Sequence, residues 1–384
     1  MYITDYQVIP SPSFVLDLER FENNLILLQQ VQQEADVEII LALKGFSLWH
    51  VFPLVKKYLA GATASSLHEA LLIFNEMGLK AHTYSPAYIP SDFEKISQHS
   101  HYITFNSCSE FIRYLPFISS DNAQFSAGLR VNPGYSPVDV ALYNPASNGS
   151  RLGVTPDRLR EIKQLPCLEG IHIHTLCEST SFHFQKLMET VDFHFGEILP
   201  NLKWINFGGG HLITRRDYDI PHLISILKHF KDKYPNLKII LEPGSAVAWE
   251  TGELVSTVLD IVENNGIKTA ILDVSFTAHM PDTLEMPYRP NVLNASSNAS
   301  SAFPFTYRLG GVSCLAGDFL ENYFFPQPLQ IGQKLIFLDM MHYTMVKTTQ
   351  FNGVAHPEIG FWSKKNGFTS WRKFDYLDFK NRLG

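Results

Sequence analysis

A lysine at the end of an apolar segment is the first position in this sequence where covalent chemistry is possible. Lys44 follows the apolar run 37–43, and Gly45 comes directly after it. Such a run is typical of a strand that is buried on both faces. A lysine amine held in a protein pocket can lose its proton and act as a nucleophile. The alternative is an ammonium group that reaches solvent from the strand end, so the choice depends on other polar residues.

Three more segments that could do chemistry come at the ends of apolar runs. They are His174, the triplet Gly208, Gly209 and Gly210, and Glu242. Each alone has an ordinary alternative, namely a hydrogen-bonded core histidine, a flexible turn, and a capping or ion-pair carboxylate. Together with Lys44 they supply an amine, backbone amides for an anion, a flat ring and a carboxylate. This combination matches what pyridoxal 5′-phosphate requires of a protein.

These segments have distinct predicted roles at such a cofactor. We expect Lys44 to bind the aldehyde carbon and the glycine triplet to hold the phosphate. His174 would cover the face of the pyridine ring, and Glu242 would keep the ring nitrogen protonated. A protonated ring withdraws electrons from the α-carbon of a substrate, so the cofactor can stabilise a carbanion there.

The elements that must position these residues alternate regularly between residues 14 and 246. Short apolar runs are separated by amphipathic stretches, two of which begin with the helix-capping patterns 66–69 and 107–110. This alternation predicts an α/β protein with a (β/α)8 TIM-like barrel, in which the carboxyl ends of the strands share one mouth. The eight predicted strands are 37–43, 61–66, 81–85, 102–106, 125–131, 170–174, 204–207 and 238–241.

The pattern changes after Gly244. Strand-like segments are then separated by connections rich in proline and glycine, which predicts a C-terminal antiparallel β domain over residues 247–384. Residues 1–13 are expected to join this domain, because residues 6–9 are strand-like. We therefore assign residues 14–246 to the cofactor-binding barrel and the remainder to the β domain.

Composition and charge argue against several other classes of protein. The chain has 384 residues, a net charge of −7 and no basic stripe with aromatic residues between its charges, which argues against nucleic-acid binding. No apolar run approaches the length of a membrane span, and the first residues lack the pattern of a signal peptide. The cysteines at positions 108, 167, 177 and 314 have no metal-ligand spacing. We expect free thiols, no metal site, no membrane contact and a cytoplasmic location.

The predicted C-terminal domain contributes two more segments with unusual residue types. Cys314 lies between closely spaced glycines and precedes Asp318, and Tyr343 precedes the segment Phe351–Gly353. The alternative for Cys314 is a small buried hydrophobic residue. The flanking glycines and the aspartate argue against this alternative, because they are unlike a core strand.

With its motifs in this order, the chain resembles the fold-type III pyridoxal-phosphate decarboxylases over nearly its whole length. The resemblance implies a homodimer whose active sites lie at the subunit interface. It also implies that Cys314 and Asp318 serve the other subunit's site, that Cys314 protonates the α-carbon, and that Tyr343 helps to bind the phosphate. The matching segments are Ala42-Leu43-Lys44, Leu129-Arg130-Val131-Asn132-Pro133, Ser150-Arg151-Leu152-Gly153, His174, the glycine triplet, Glu242-Pro243-Gly244, Cys314 with Asp318, and Tyr343 with Phe351-Asn352-Gly353.

Departures from the well-known members of this family point to one of its branches. Ser245 stands where arginine usually follows Glu-Pro-Gly, Leu315 stands where an acidic residue usually follows the cysteine, and Cys177 lies in a loop that usually contains serine. The segments 174–178 and 272–282 resemble the branch that decarboxylates carboxynorspermidine or carboxyspermidine. The further amines of such a carboxypolyamine are cationic and need acceptors. The carboxylates proposed to contact the substrate are Asp318, Asp273, Asp282 and Glu178, in this order of preference, together with Glu242.

The resemblance leaves other functions open. A decarboxylase of a basic amino acid or of diaminopimelate would have the same fold. So would an amino-acid racemase, although a racemase usually places arginine, not a carboxylate such as Glu242, against the ring nitrogen. A non-catalytic carrier of the cofactor would not need Cys314. A barrel enzyme that binds another phosphate ligand would leave Lys44 unexplained.

Overall fold

The computed structural model describes residue 3 and residues 5–120, 124–286 and 288–384, and it divides into two compact units. One unit, termed the barrel unit, is Asn24–Val247. The other, termed the sheet unit, combines Met1–Asn23 with Ala248–Gly384. The first strand, β1 (Ser13–Asp17), belongs to the sheet unit.

Eight parallel strands close the barrel unit into a ring. Each strand pairs with the next one along the chain, and the last pairs with the first, with Ile39 opposite Leu241. Each predicted strand is present, so the predicted (β/α)8 barrel is confirmed. The strands are β2 (Glu38–Ala42), β3 (Gly61–Ala64), β4 (Ala81–Tyr84), β5 (Ser100–Phe105), β6 (Ser126–Arg130), β7 (Gly170–His172), β8 (Trp204–Asn206) and β9 (Lys238–Leu241).

Helices alternate with these strands, and side-chain caps define where several of them begin. Ser66 accepts a hydrogen bond from the backbone N–H of Glu69, and Ser107 accepts one from Glu110, as the sequence patterns predict. No helix in the described ranges is long and apolar enough to cross a membrane. The α-helices are α1 (Leu18–Ala35), α2 (Phe52–Tyr58), α3 (Leu67–Leu72), α4 (Pro90–His99), α5 (Cys108–Arg113), α6 (Leu115–Ile118), α7 (Leu159–Ile162), α8 (Ser181–Phe195), α9 (Ile220–Lys233) and α10 (Ser245–Ala248).

A large aromatic side chain fills the barrel interior near the amino ends of the strands. Trp204, the first residue of β8, is buried in a cluster with Ile40 and Tyr102. Gly128 and Gly170 on the preceding strands lie against its ring, and a Cβ atom at either position would overlap the ring. These glycines are therefore required by packing rather than by a turn.

The strands of the sheet unit form one sheet of eight strands within the described residues, in the order β13-β12-β11-β10-β1-β15-β16, with β14 also paired to β10. Most neighbours are antiparallel, as predicted, but β1 pairs in parallel with β15, and β11 with β12. Asn265 and Gly266, both with positive φ, make the two-residue turn between β10 and β11. The strands are β10 (Gly252–Asn264), β11 (Ile267–Leu272), β12 (Phe305–Gly310), β13 (Phe319–Phe325), β14 (Lys334–Leu338), β15 (Glu358–Ser363) and β16 (Gly367–Arg372). The helices are α11 (Phe276–His279), α12 (Asp282–Glu285), α13 (Tyr343–Val346) and α14 (Tyr376–Leu383).

The N-terminal border between the units differs from the prediction. Residues 6–9 form a turn rather than a strand, and the N-terminal strand of the sheet is β1, between β10 and β15. All five residues of β1 are buried, because the strand has a neighbour on each side and packs on both faces. The sheet unit therefore extends to Asn23 instead of residue 13, whereas its second segment begins at Ala248, one residue from the predicted start.

Candidate active site in the barrel unit

The structure brings the four predicted barrel segments together at the carboxyl ends of adjacent strands. Lys44 Nζ lies 3.0 Å from His174 Nε2. The backbone N–H of Gly209 donates to His174 Nδ1 at 3.0 Å. The backbone N–H of Glu242 donates to the carbonyl of Gly208 at 2.8 Å. The grouping follows from the barrel order, because β7, β8, β9 and β2 are consecutive around the ring.

The pair of Lys44 and His174 favours an unprotonated lysine. Because Gly209 donates to Nδ1, the neutral imidazole carries its hydrogen on Nε2 and donates it to the Lys44 amine. Lys44 is reachable from solvent in this chain, yet the surrounding barrel excludes enough water to lower its pKa, against the opposing attraction of Glu242. Burial keeps the pKa of His174 well below its ordinary value, so its ring is neutral. The amine is therefore prepared to act as a nucleophile.

Glu242 is held as an ionised carboxylate by two neutral side chains. Asn206 Nδ2 donates to Oε1 at 2.6 Å, and His172 Nε2 lies 3.3 Å from Oε2. Burial would raise the pKa of Glu242, but the hydrogen bonds to His172 and Asn206 outweigh burial and lower it below its ordinary value. Burial lowers the pKa of His172, so that ring is neutral near pH 7. The Glu242 carboxylate thus has no cation among its direct partners. A protonated pyridine nitrogen would be such a cationic partner.

The glycine triplet is less open to an anion than its sequence suggests. Gly208 and Gly210 have φ values of +67° and +89°, which favour glycine, and a Cβ atom on Gly209 would collide with the Glu242 carbonyl. The N–H of Gly208 already donates to Asn206 Oδ1 at 2.8 Å, and that of Gly209 donates to His174. The amide of Gly210 is therefore the one from this triplet that we assign to an anion.

Arg130 is a site residue to which the sequence analysis gave no role. It ends β6, is 4% exposed, and donates from Nη2 to the carbonyl of His174 at 2.8 Å. Its guanidinium lies 4.6 Å from the centre of the Tyr84 ring. His172 and Asn206 were missed in the same way. The spacing could have identified these two residues, because His172 lies two residues before His174 and Asn206 lies two residues before Gly208. Alternate residues of a strand share a face.

Candidate residues in the sheet unit

Two of the predicted C-terminal motifs meet in the sheet unit. Cys314 is exposed, and its backbone N–H donates to Asn352 Oδ1 at 2.8 Å. Asn352 has a φ of 57°, a left-handed conformation that asparagine tolerates better than most residues. The segment Phe351–Gly353 therefore fixes the backbone of the loop that carries the cysteine. Tyr343 is half-buried at the start of α13.

Asp318 is occupied by its own loop. Its Oδ1 accepts from the backbone N–H and the hydroxyl of Thr277, at 2.9 and 3.1 Å, and Oδ2 accepts from the N–H of Ser313 at 3.0 Å. The residue is 5% exposed. Both oxygens thus hold the segments around Thr277 and Cys314 in place.

Asp273 and Asp282 differ in how many of their oxygens are bonded. In Asp273, Oδ1 accepts from the N–H of Thr257 and Oδ2 from the Ser11 hydroxyl. In Asp282, Oδ2 accepts from the hydroxyls of Tyr288 and Thr344, at 2.7 and 2.9 Å. Its Oδ1 is buried and has no hydrogen-bond partner among the described residues. Glu178, in the barrel unit, is exposed on a left-handed residue with φ of 46°.

Comparison with known proteins identifies the family. The family model described as pyridoxal-dependent decarboxylase, C-terminal sheet domain, matches residues 1–341. The chain belongs to the pyridoxal-dependent decarboxylase family. The resemblance noted in the sequence is thereby confirmed, and pyridoxal phosphate is the cofactor that the family implies.

The relatives within this family are similar to the chain over almost its full length. Carboxyaminopropylagmatine decarboxylase of Synechocystis is 50% identical over 377 residues, which are 98% of this chain and 96% of that protein. Carboxynorspermidine/carboxyspermidine decarboxylase of Campylobacter jejuni is 39% identical and covers 98% and 99%. The crystal structure of carboxynorspermidine decarboxylase from the same organism, complexed with norspermidine, has a TM-score of 0.89 at 38% identity and covers 97% and 100%. The predicted branch of the family is therefore confirmed.

Proposed function

We propose that this protein decarboxylates a carboxypolyamine, carboxynorspermidine or carboxyspermidine, with pyridoxal phosphate bound at Lys44. The observation that carries the proposal is the pair of a lysine amine whose pKa burial lowers and an ionised Glu242 whose direct partners are Asn206 and His172. The first suits covalent capture of an aldehyde, and the second suits a protonated pyridine nitrogen. The names of the relatives support the substrate class.

The roles of the barrel residues follow from their protonation. When bound, the cofactor supplies a sink for the electrons left at the α-carbon as CO₂ departs. Lys44 is the residue that would hold the aldehyde carbon, and its amine would be helped into the neutral form by the hydrogen bond from His174 and by its lowered pKa. The Glu242 carboxylate would hold a proton on the ring nitrogen, and the ring of His174 would cover the cofactor. The amide of Gly210 and the hydroxyl of Tyr343 are the groups we assign to the phosphate.

Protonation of the product is assigned to the sheet unit. The Sγ atom of Cys314 would deliver a proton to the α-carbon after CO₂ has left. We propose that the protein is a homodimer in which each sheet unit serves the other subunit's barrel. The exposed cysteine, on a loop that Asn352 fixes, is consistent with such a role. A cytoplasmic location also stays a prediction.

Among the carboxylates considered for the substrate amines, Asp282 has the strongest support. Asp318 and Asp273 use both oxygens for hydrogen bonds inside the sheet unit. Asp282 keeps Oδ1 buried and without a partner among the described residues, while Oδ2 is anchored by two hydroxyls. A buried acceptor of this kind gains most from a cationic amine. We therefore place Asp282 ahead of the other two aspartates.

Carboxyaminopropylagmatine is a second candidate substrate. The observation that favours it is the relative with 50% identity, whose name specifies this compound. Its agmatine part ends in a guanidinium group, whereas carboxyspermidine and carboxynorspermidine end in a primary amine. A carboxylate such as that of Asp282 can bind either cation, so the two candidates are separated by measurement.

The test is product analysis with purified protein and pyridoxal phosphate. The compounds are carboxynorspermidine, carboxyspermidine, carboxyaminopropylagmatine, diaminopimelate, ornithine and arginine. We expect CO₂ and a polyamine from the first two. Turnover of carboxyaminopropylagmatine alone would transfer the assignment to the second candidate, and turnover confined to the last three would contradict both.

A variant pair links this activity to Lys44. Lys44→Ala should abolish both CO₂ release and the borohydride-reducible bond to the cofactor. Lys228→Ala, on helix α9, is the control that removes an equal charge away from the barrel mouth. Normal turnover by the Lys44 variant would contradict the assignment.

A further inference from the structure

Asn206 joins the two ends of the proposed cofactor site. Its Nδ2 donates to Glu242 Oε1 at 2.6 Å, and its Oδ1 accepts from the N–H of Gly208 at 2.8 Å. It is the last residue of β8 and is 3% exposed, so solvent barely competes for either bond. One side chain therefore connects the carboxylate assigned to the ring nitrogen with the turn assigned to the phosphate.

An amide suits this position because it donates and accepts at the same time. An aspartate of the same shape would keep the bond from Gly208. It would also place a second carboxyl group within hydrogen-bond distance of Glu242, where two like charges strongly disfavour full ionisation. An aliphatic residue would lose both bonds and leave a buried N–H without a partner.

We propose that Asn206 is a positioning residue for the cofactor, which fixes the Glu242 carboxylate relative to the glycine turn and keeps it the single carboxylate at the ring nitrogen. This inference rests on the proposed binding of pyridoxal phosphate in the barrel unit. It concerns a side chain to which neither the motifs nor the family resemblance assigned a role.

The charges around Glu242 agree with this assignment. Burial lowers the pKa of His172, and it lowers that of His82 to about 3, so both imidazoles are neutral near pH 7. A carboxyl group introduced at position 206 would therefore titrate together with Glu242, and the pair would retain a proton to higher pH than either group alone. The titratable or charged groups that act on Glu242 are Lys44 after β2, His82 on β4, Arg130 on β6 and His172 on β7.

The test compares Asn206→Asp with Asn132→Asp in the full-length protein. Asn132 is a matched control because it is also 3% exposed and its Oδ1 accepts from the N–H of the glycine two residues later, Gly134, at 3.0 Å. Its amide makes no described bond to Glu242. Both substitutions keep the acceptor and the side-chain volume. The measurements are the dissociation constant of pyridoxal phosphate and the pH dependence of the absorbance of the bound cofactor.

At neutral pH, Asn206→Asp is expected to weaken cofactor binding about ten- to a hundredfold. The deficit should shrink as the pH falls, because the introduced carboxyl group becomes protonated and can then donate to Glu242. Asn132→Asp should change the dissociation constant less than about threefold, with an unchanged pH profile.

Unchanged affinity and pH profile in Asn206→Asp would overturn the inference, because a residue that only caps the Gly208 turn keeps its acceptor in aspartate. An equal loss in the Asn132 control would overturn it as well. Failure of the wild-type protein to bind pyridoxal phosphate is a different result and would contradict the proposed function.

A double variant covers the case in which Asn206→Asp does not fold. In Asn206→Asp/Glu242→Gln the bond is reversed, since the glutamine amide donates to the new carboxylate and a single negative charge remains. We expect this protein to fold and to bind the cofactor more weakly than Glu242→Gln alone, because the charge is misplaced. Equal binding by the double variant and Glu242→Gln would overturn the inference.

Discussion

The barrel unit and the sheet unit hold their candidate residues in different ways. In the barrel unit Lys44, His174 and Glu242 lie at strand ends, and direct hydrogen bonds to one another or to the glycine turn connect them. In the sheet unit Cys314 lies on a loop, and Asp282 begins a helix of four residues. Strand ends of a closed barrel move little, whereas loops tolerate changes in sequence.

The difference suggests a division of labour. The barrel unit carries the residues that fit the cofactor, which is common to the whole family. The sheet unit carries the residues that we assign to the substrate, which differs between branches of the family. Substitutions in the first unit should therefore affect the cofactor, and those in the second should affect the choice or turnover of substrate.

Loss of one residue from each unit should produce the largest effect. Lys44→Ala is expected to reduce decarboxylation by at least about a thousandfold, because no other amine replaces the nucleophile. Cys314→Ala should keep the covalent bond to the cofactor while losing most turnover.

If the units act across a homodimer, mixing the dissociated Lys44→Ala and Cys314→Ala variants should restore about one quarter of the activity. Half of the randomly formed dimers are then mixed, and each mixed dimer has one intact site. The measurement is CO₂ release after reassociation. If no activity is recovered, Lys44 and Cys314 of one and the same chain would have to serve each site.

Glu242→Gln should change the pH at which Lys44 captures the cofactor. Capture needs the neutral amine, so its rate in the apoprotein should rise with pH through a pKa that burial places below 10.5. Attraction by Glu242 raises this pKa, and its removal should therefore shift the midpoint to lower pH while turnover falls about a hundredfold. The measurement is the capture rate against pH. Glu38→Gln, at the start of β2, is the control, and an upward shift in Glu242→Gln would contradict the electrostatic interpretation.

Within the sheet unit, Asp282→Asn and Asp318→Asn should separate binding from stability. Asp282→Asn is expected to raise KM for the carboxypolyamine about tenfold with little change in Tm, because its unpaired oxygen is the one that we assign to a substrate amine. Asp318→Asn should lower the stability by about 1–3 kcal/mol, because its oxygens accept three hydrogen bonds from the protein. Steady-state kinetics and thermal unfolding of both variants test this. A larger effect on KM from the Asp318 substitution than from the Asp282 substitution would restore Asp318 as the preferred substrate ligand.

The smallest effect is expected at Glu253, a buried glutamate whose pKa shift is opposite in direction to that of Glu242. Burial raises the pKa of Glu253 to about 7 and outweighs the opposing effect of the Arg20 ion pair, whereas the pKa of Glu242 is lowered. A raised acid pKa stabilises the fold below the unfolded value of 4.5, and this contribution is lost as the pH rises through 7. Glu253→Gln should therefore gain roughly 2 kcal/mol of stability relative to wild type between pH 5 and pH 8. Parallel stability curves for the two proteins would contradict the shift.

Local sequence was enough to predict the barrel and the positions of its main polar residues. An apolar run followed by Lys44 or Glu242 contains both the strand and the residue at its end, so no distant information is needed. The roles of Asp318 and Asp273 could not be predicted in this way. Their partners include Thr277 and Ser11, which are 41 and 262 residues distant, and a hydrogen bond over such a separation leaves no local pattern.

The sequence by itself determined the eight barrel strands, the lysine and the family, because each depends on short segments whose order is visible along the chain. Only the tertiary structure decided which groups remain available for chemistry. It showed that the backbone N–H groups of Gly208 and Gly209 donate to Asn206 and His174. It also showed that Asp282 has an oxygen without a partner in the described part of the chain. Whether a polar group is available for chemistry depends on the hydrogen bonds that it makes with neighbouring strands and loops. Folding, rather than position in the sequence, determines which strands and loops are its neighbours.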